Sequence, residues 1–231
     1  MAVSLSPLSS KVTFATPTNA LGHVAKTIFF VGGYSPTISE WFIRIYDGVG
    51  TDSDEYFEIK FVGGSPFTLD IKAHFSTTNG LWRYQASYGS FTGSFAVTYN
   101  GSSVANNPLL YLNGLNIALT KITTPVGTYR TGTGSDLRLE GVAPKTFGVE
   151  DFRIYNVVKN AQQIVNMTNE DIHADANIDE SGLVFHAPLT MCKGMTYPTY
   201  DNSVLSSANE FIDRINGYLG VPSNNPIGNE W

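Results

Sequence analysis

The stretch that decides the fold runs from Phe95 to Gly114 and reads Phe-Ala-Val-Thr-Tyr-Asn-Gly-Ser-Ser-Val-Ala-Asn-Asn-Pro-Leu-Leu-Tyr-Leu-Asn-Gly. Its first part alternates apolar with small polar residues, which is typical of a strand with one buried face. Asn100-Gly101 and Asn113-Gly114 are turn signals, because both residue types tolerate positive φ. A further apolar run, Leu115–Leu119, follows the second turn directly. The stretch therefore predicts three short strands in an antiparallel meander.

Similar short runs of apolar, β-branched and aromatic residues recur on both sides of this stretch, separated by Gly, Pro, Asn and Asp. Their spacing of roughly 10–14 residues is typical of a sandwich, and the lack of βαβ alternation disfavours a parallel sheet. The sequence predicts an all-β, antiparallel two-sheet fold. The further predicted strands are Lys11–Ala15, Lys26–Val31, Glu40–Tyr46, Tyr56–Val62, Phe67–His74, Trp82–Tyr88, Leu137–Glu140, Phe147–Tyr155 and Leu183–Leu189.

Two helices are predicted. The first is a short helix over residues 160–168. The second covers residues 207–216, with Ser207 and Glu210 placed as a capping box and Gly217 as its end. Its apolar positions follow helical spacing and form one stripe, which predicts a partner-binding surface. The residues proposed for that surface are Phe211, Ile212, Ile215 and Tyr218.

Two motifs resemble the laminin-G-like, concanavalin A-like lectin and glucanase jelly rolls. The first is the hairpin from Ala96 to Gly114. The second is Gly148-Val149-Glu150-Asp151-Phe152-Arg153-Ile154-Tyr155-Asn156, which a short helix and a closing strand follow. One departure is that Ser94 and Phe95 stand where the family usually has a tryptophan. The resemblance implies a jelly-roll sandwich, and it implies that Asp151 or its neighbour Glu150 pairs with Arg153 or caps backbone amides.

The chain has 231 residues, a length that sandwiches often use as one domain. We predict an N-terminal arm over residues 1–20, a jelly roll over 21–190 and a helix-bearing C-terminal extension over 191–231. The closing strand should complete the sandwich, so residues 195–231 are expected to have no place in either sheet. By analogy with viral arms, the extension is expected to dock on a neighbouring subunit, with packing on its own domain as the alternative.

Composition excludes several function classes. The net charge is −6, and no basic run is present, so direct nucleic-acid binding is not expected. No segment approaches the roughly 18 uninterrupted apolar residues of a membrane span, and the N-terminus does not read as a secretory signal. The single cysteine, Cys192, excludes an internal disulfide framework.

No set of residues in the sequence predicts catalysis. The nucleophile-elbow, zinc-protease and phosphate-loop motifs are all missing. Jelly-roll glucanases place paired acids on one face of a strand. The acidic runs Asp52-Ser53-Asp54-Glu55 and Glu55–Glu58 do not match that spacing. The chain is therefore expected to be no enzyme and not to hydrolyse β-glucans.

The candidate metal ligands are Asp47, Asp52 and Asp54, which lie in an oxygen-rich turn of the kind that calcium prefers. A second acidic cluster spans residues 171–180. Neither cluster matches a strict calcium loop, and a solvated acidic turn is the favoured interpretation. We therefore expect no cofactor; the alternative is that the turn binds calcium.

Sugar binding needs an exposed aromatic ring beside amide or carboxylate partners. The aromatic residues available for such a site are Tyr34, Trp41, Trp82, Tyr84 and Tyr88. A ligand contact is the less favoured interpretation for each of them, and core packing is the default for Trp41.

Two functional hypotheses remain open. The favoured one is a non-enzymatic structural or assembly protein on a virion surface, a capsid decoration or tail-associated protein of a bacteriophage. Its partners would be subunits of the same assembly, in a homo-oligomer or with capsid and tail proteins. The alternative is a carbohydrate-binding, lectin-like module, which would place the protein outside the cell or on its surface with a glycan as partner.

Overall fold

The strands and the helix of this chain come from a computed structural model, which describes residues 3–5, 11–16, 22–34, 40–46, 55–62, 66–87, 91–131, 135–141, 147–170, 178–187 and 220–223. The strands are β1 (Val3–Leu5), β2 (Lys11–Thr16), β3 (Ala25–Tyr34), β4 (Glu40–Tyr46), β5 (Glu55–Val62), β6 (Thr68–Ala73), β7 (Gly80–Gln85), β8 (Phe91–Asn100), β9 (Leu109–Leu112), β10 (Leu115–Ile117), β11 (Thr120–Thr123), β12 (Ser135–Gly141), β13 (Phe147–Tyr155), β14 (Leu183–Ala187) and β15 (Gly220–Ser223). The helix is α1 (Ala161–Thr168).

The strands form two antiparallel sheets. The 7-stranded sheet has the order β1-β13-β3-β8-β9-β10, with β14 also paired to β13. The 8-stranded sheet has the order β11-β7-β6-β5-β4-β12-β2-β15. The chain is therefore an all-β, two-sheet jelly-roll sandwich with one short helix among the described residues, as the sequence predicts.

The core lies between the two sheets and consists of alternate residues of each strand, since successive side chains point to opposite faces. Phe30 and Phe95 of the 7-stranded sheet stack with ring centroids 4.8 Å apart. Phe61 of the 8-stranded sheet meets Phe95 edge-on at 5.2 Å. Such aromatic pairs add to the free energy gained from burying their area.

The meander predicted from the opening stretch is confirmed, because β8, β9 and β10 pair in that order. Asn113 and Gly114 form the tight turn, with φ of 49° and 76°. The first turn signal was misread. Asn100-Gly101 begins a longer loop that ends at Leu109, and neither residue has positive φ. The Asn106 side chain donates to the Asn100 carbonyl across this loop, which stabilises an alternative to a two-residue turn.

Helix α1 begins at the predicted position and packs on the outer face of the 7-stranded sheet. The Asn160 side chain accepts from the Gln163 backbone amide, and the Gln163 side chain accepts from the Asn160 amide, which forms a capping box. Ile164 and Met167 are buried against a second apolar cluster built around Phe29. The helix therefore covers this face of the sandwich.

Both ends of the chain contribute strands that the sequence did not predict. β1 pairs with β13, and β15 pairs with β2 at the edge of the 8-stranded sheet. The expectation that residues 195–231 have no place in either sheet was wrong. β15 has only four residues and contains Pro222, which an edge strand tolerates. The predicted helix 207–216, with Phe211, Ile212, Ile215 and Tyr218, lies outside the described residues, and the boundaries of the arm, jelly roll and extension stay a prediction.

A buried ion network lies on the outer face of the 7-stranded sheet, next to α1. Arg153 is 0% exposed, and its Nη2 lies 2.6 Å from Asp151 Oδ2. Its Nη1 donates to Glu170, and His186 Nε2 lies 2.9 Å from Asp151 Oδ1. Burial acts to lower the pKa of Arg153, but the Asp151 charge and the Glu170 hydrogen bond raise it. The implied pairing of Asp151 with Arg153 is present.

The Asp151→Asn substitution should lower the free energy of unfolding by about 3–5 kcal/mol, because it removes one of the two carboxylates that neutralise the buried Arg153. Urea denaturation at pH 7 measures the change. Glu180→Gln is the control, since Glu180 is exposed and has no charged partner in the described residues. Equal stability of the two variants would show that Asp151 does not stabilise Arg153.

The Gly114→Val substitution should lower the free energy of unfolding by about 1 kcal/mol or more, because a β-branched residue is strained at a φ of 76°. Thermal melting followed by circular dichroism measures the loss. Leu115→Val at the next position, where the side chain is 69% exposed, should melt with the wild type. A Gly114→Val protein with the wild-type melting temperature would contradict the turn assignment.

Candidate functional site

The candidate site is one end of the sandwich, where three segments meet: residues 74–79, 100–108 and 124–131. We call this end the loop rim. The Ser76 amide donates to the Thr128 carbonyl at 2.9 Å, and the Arg130 amide donates to the His74 carbonyl at 2.9 Å. The Gly101 amide donates to the Val24 carbonyl at 2.9 Å, which ties the second segment to β3. Backbone hydrogen bonds therefore join the first and third segments to each other and the second segment to the residue before β3.

Glycine is required where two of these segments touch. A Cβ atom at Gly101 would lie 2.6 Å from the ring of Tyr129, which is closer than two carbon atoms can approach. The Tyr129 ring also meets Phe75 edge-on at 5.5 Å and Tyr99 at 5.9 Å. The partly exposed Tyr129 thus anchors the rim to the core.

The exposed side chains of the rim are mostly hydroxyls and amides. Ser76 and Thr128 are linked, since the Thr128 amide donates to Ser76 Oγ at 3.0 Å. Asn107 is exposed, and its Oδ1 accepts from Trp82 Nε1 at 3.0 Å. A buried indole therefore fixes the orientation of a surface amide, which is the kind of positioning that hydroxyl recognition requires.

A single row of side chains continues from β6 over the outer side of the rim. Ile71, Ala73 and Phe75 are buried in the core, so the alternate residues belong to the opposite face. Phe75 forms an antiparallel β-bridge with Tyr129. The residues next to each of them, His74 and Ser76 on one segment and Thr128 and Arg130 on the other, therefore lie on the same outer face. We call these residues the outward row: Lys72, His74, Ser76, Thr128 and Arg130.

The histidine of the outward row is neutral at pH 7. Burial lowers the pKa of His74 to about 4, and the charges of Lys72 and Arg130 lower it further in the same direction. Its ring can therefore exchange hydrogen bonds without contributing charge. Lys72 lies two positions before His74 on the same strand face, and Arg130 lies opposite His74 across the bridge between Phe75 and Tyr129.

Lys26 lies inside the sandwich beneath the rim. Its side chain is 1% exposed, and Nζ donates to the Tyr129 hydroxyl at 2.8 Å. The ammonium also lies 5.1 Å from the centre of the Phe57 ring. Burial lowers the pKa of Lys26 to about 7. The sequence read this residue as the start of a core strand and did not single it out.

The structure separates the residues that the sequence proposed as sites. The segment with Asp47, Asp52 and Asp54 lies outside the described residues, although the strands that flank it, β4 and β5, meet at the rim end of the sheet. Of the second acidic cluster, Asp179 bonds to Lys159 at 2.7 Å. Within the described ranges, no group of three His, Cys, Asp or Glu side chains could hold a metal ion.

The side chains of two aromatic candidates for sugar binding, Trp82 and Tyr84, are described, and both pack on the core. Trp82 is 1% exposed and lies in the core, so its assignment as a candidate was wrong. Tyr84 packs on the core and meets Phe67 edge-on at 6.0 Å. The side chains of Tyr34, Trp41 and Tyr88 are not among those described. Tyr129 was missed because the sequence between Leu119 and Leu137 has no strand-like alternation, although an aromatic residue inside a Gly/Thr-rich loop is a usable signal.

Two carboxylates on the outer face of the 8-stranded sheet are held in ion pairs. Arg44 Nε donates to Glu58 at 2.8 Å, and Arg83 binds Asp70 through two hydrogen bonds of 2.6 and 2.7 Å. Both acids are less than 10% exposed. Both carboxylates are therefore engaged by arginine side chains of the same sheet. Among the described residues, no helix is long and apolar enough to cross a membrane.

This geometry defines a jelly-roll sandwich with a polar loop rim at one end, and comparison with solved structures agrees with the fold. In all, 57 chains of known structure match. The globular domain of T. cruzi calreticulin is 13% identical, with a TM-score of 0.50, covering 70% of this chain and 73% of that one.

Two further similar structures have TM-scores of 0.38. One is the carbohydrate recognition domain of Emp46p, 14% identical over 68% of this chain and 83% of that one. The other is a heptameric SAP-like pentraxin from Limulus polyphemus, 10% identical over 69% of this chain and 82% of that one. No family model and no curated protein matches the chain. At these identities the likeness concerns the fold alone.

The stability of the protein should rise between about pH 7 and pH 9. In the unfolded chain, Lys26 keeps its proton up to a pH near its ordinary pKa of 10.5. In the folded protein, burial lowers that pKa to about 7, so Lys26 releases its proton near pH 7. The unfolded state therefore binds more protons in this window, and stability rises by up to about 1.4 kcal/mol per pH unit. Urea denaturation at pH 7, 8 and 9 measures the slope.

The Lys26→Met variant provides the comparison for that slope. It should be more stable than the wild type at pH 7, because no charge has to be desolvated, and its stability should change much less up to pH 9. The same slope in both proteins would assign the pH dependence to another group.

Proposed function

We propose that this chain is a non-catalytic, lectin-like domain that binds carbohydrate at the loop rim. The observation that carries the proposal is the hydroxyl and amide surface of the rim, whose members are fixed by the core. Trp82 orients Asn107, Tyr129 anchors the segment 124–131, and Ser76 links that segment to the first. Sugar hydroxyls are matched by such preorganised amide and hydroxyl groups, since little ordering remains to be done on binding.

The electrostatics of the described strands support binding rather than catalysis. Glu58 and Asp70 are the described carboxylates on the outer face of β5 and β6, and both are neutralised by arginines. Hydrolysis of a glycosidic bond needs one carboxyl group in the protonated form and a second one facing it. Both of these side chains are bound by arginines instead of facing each other, which agrees with recognition as the proposed role.

A virion surface role stays a prediction. It was based on the arm-like reading of both ends of the chain, but strands β1, β2 and β15 pair within the two sheets. No described contact favours it over sugar binding. An extracellular or cell-surface location, which accompanies the lectin proposal, also stays a prediction.

The Asn107→Ala substitution should weaken glycan binding roughly tenfold or more, because it removes an amide from the rim and leaves the Trp82 indole without its acceptor. A glycan array identifies a bound sugar, and isothermal titration then gives its affinity for the variant. Asn166→Ala on α1 is the matched control, since Asn166 is an exposed asparagine on the outer face of the other sheet.

The proposal fails if the folded wild-type protein binds nothing on an array that spans neutral and acidic glycans in the presence of calcium. It also fails if Asn107→Ala and Asn166→Ala bind as the wild type does, because binding would then lie away from the rim.

A further inference from the structure

The acidic residues of this chain are segregated. Residues 71–135 contain no Asp or Glu, although the chain as a whole has 20 of them. The same stretch holds four of the 14 basic residues, so it carries +4 while the remainder carries −10. It includes β7 to β11 and all three segments of the loop rim. The rim segments are thus free of carboxylates in a protein that is acidic overall.

Two cations of this stretch converge at the rim. Lys72 precedes His74 by two positions on the same face, and the Arg130 amide bonds to the His74 carbonyl at 2.9 Å. Glu58 lies opposite Lys72 in the sheet, but it is paired with Arg44, so the outward row keeps a net positive charge.

The outward row also carries hydroxyl groups beside these charges. Thr128 and Ser76 share hydrogen bonds of 3.0 and 3.4 Å, and both are exposed. Arginine and lysine suit a carboxylate, because charge-assisted hydrogen bonds are roughly twice as strong as neutral ones. Serine and threonine suit the hydroxyls that accompany a carboxylate on an acidic sugar ring.

We infer that the saccharide bound at the rim is anionic, a uronate-bearing glycan whose carboxylate lies between Lys72 and Arg130 on the outward row. This inference rests on the proposed carbohydrate-binding function and names the class of its ligand. His74, neutral and only 5% exposed, supplies the floor of the subsite. Ser76 and Thr128 contact the sugar hydroxyls.

A second copy of the chain, whose remainder carries −10, is the competing occupant. A protein surface would be expected to cover the exposed apolar side chains of this stretch as well. Leu115 and Ile122 lie on the edge strands β10 and β11, and Val126 lies in the rim segment 124–131, but none of the three belongs to the outward row. The row itself offers charge and hydroxyls, which favours a saccharide.

The experiment compares polygalacturonate with its methyl ester, which has the same sugar backbone without the charge. Isothermal titration measures the affinity for each polymer at about 50 mM and at about 300 mM NaCl. The two concentrations are compared because salt screens exposed charges, with a Debye length of roughly 10 Å at 0.1 M. We expect binding of polygalacturonate at least tenfold stronger than of the ester, and a loss of that preference at the higher salt. The double variant Lys72→Gln/Arg130→Gln should lose the preference at low salt.

Lys60→Gln is the matched control, because Lys60 lies on the same outer face but pairs in register with Asp70, away from the rim. It should retain the wild-type preference, and thermal melting should show that all variants are folded. Equal affinity for the two polymers would overturn the anionic ligand while leaving sugar binding intact. An array without any binding would overturn both proposals.

Analytical ultracentrifugation distinguishes a second copy of the chain from a saccharide as the occupant of the outward row. Salt-sensitive self-association of the wild type that the double variant abolishes, with no preference between the polymers, would assign the outward row to a second copy. A monomer at both salt concentrations supports the saccharide.

Discussion

The antiparallel pairing of β3 with β8 is the constraint on which the rest of the structure depends. The pairing runs without a shift from Ala25 opposite Asn100 to Tyr34 opposite Phe91. Because side chains alternate between the two faces, this register decides which residues enter the core. Phe30 and Phe95 point inward and stack, while Phe29 lies beneath α1 on the outer face. A slip by one residue would exchange the two sets.

The same register places the polar residues that serve the rim. Lys26 and Tyr99 are opposite each other at the end of the pairing, inside the sandwich and next to Tyr129. On the outer face, the Thr27 hydroxyl donates to the Val157 carbonyl at 2.8 Å and accepts from the Lys159 amide at 2.9 Å. One strand therefore supports the loops at this end from two sides.

Much of the fold could be predicted from alternation and turn chemistry, because both are local. The tight turn at Asn113-Gly114, strand β13 and the capped helix α1 follow from neighbouring residues alone. The loop after Asn100 could not be predicted, since a side-chain contact from Asn106 decides it. The rim is harder still, because the contact of Gly101 with Tyr129 joins residues that no local pattern relates. Charge segregation was visible in the sequence, but its meaning required the strands to be placed.

The position of β2 has a consequence for how the chain reaches its native state. β2 begins at Lys11, yet its two neighbours are β12, which begins at Ser135, and β15, which begins at Gly220. β1, near residue 3, likewise pairs with β13, which begins at Phe147. Pairings between such distant residues are slow to form, because the long intervening loop must first be closed. During synthesis the first strands emerge long before their partners, with unpaired edges that other chains can join. Completion of the larger sheet is thus delayed until β15, more than 200 residues after β2, has been synthesised.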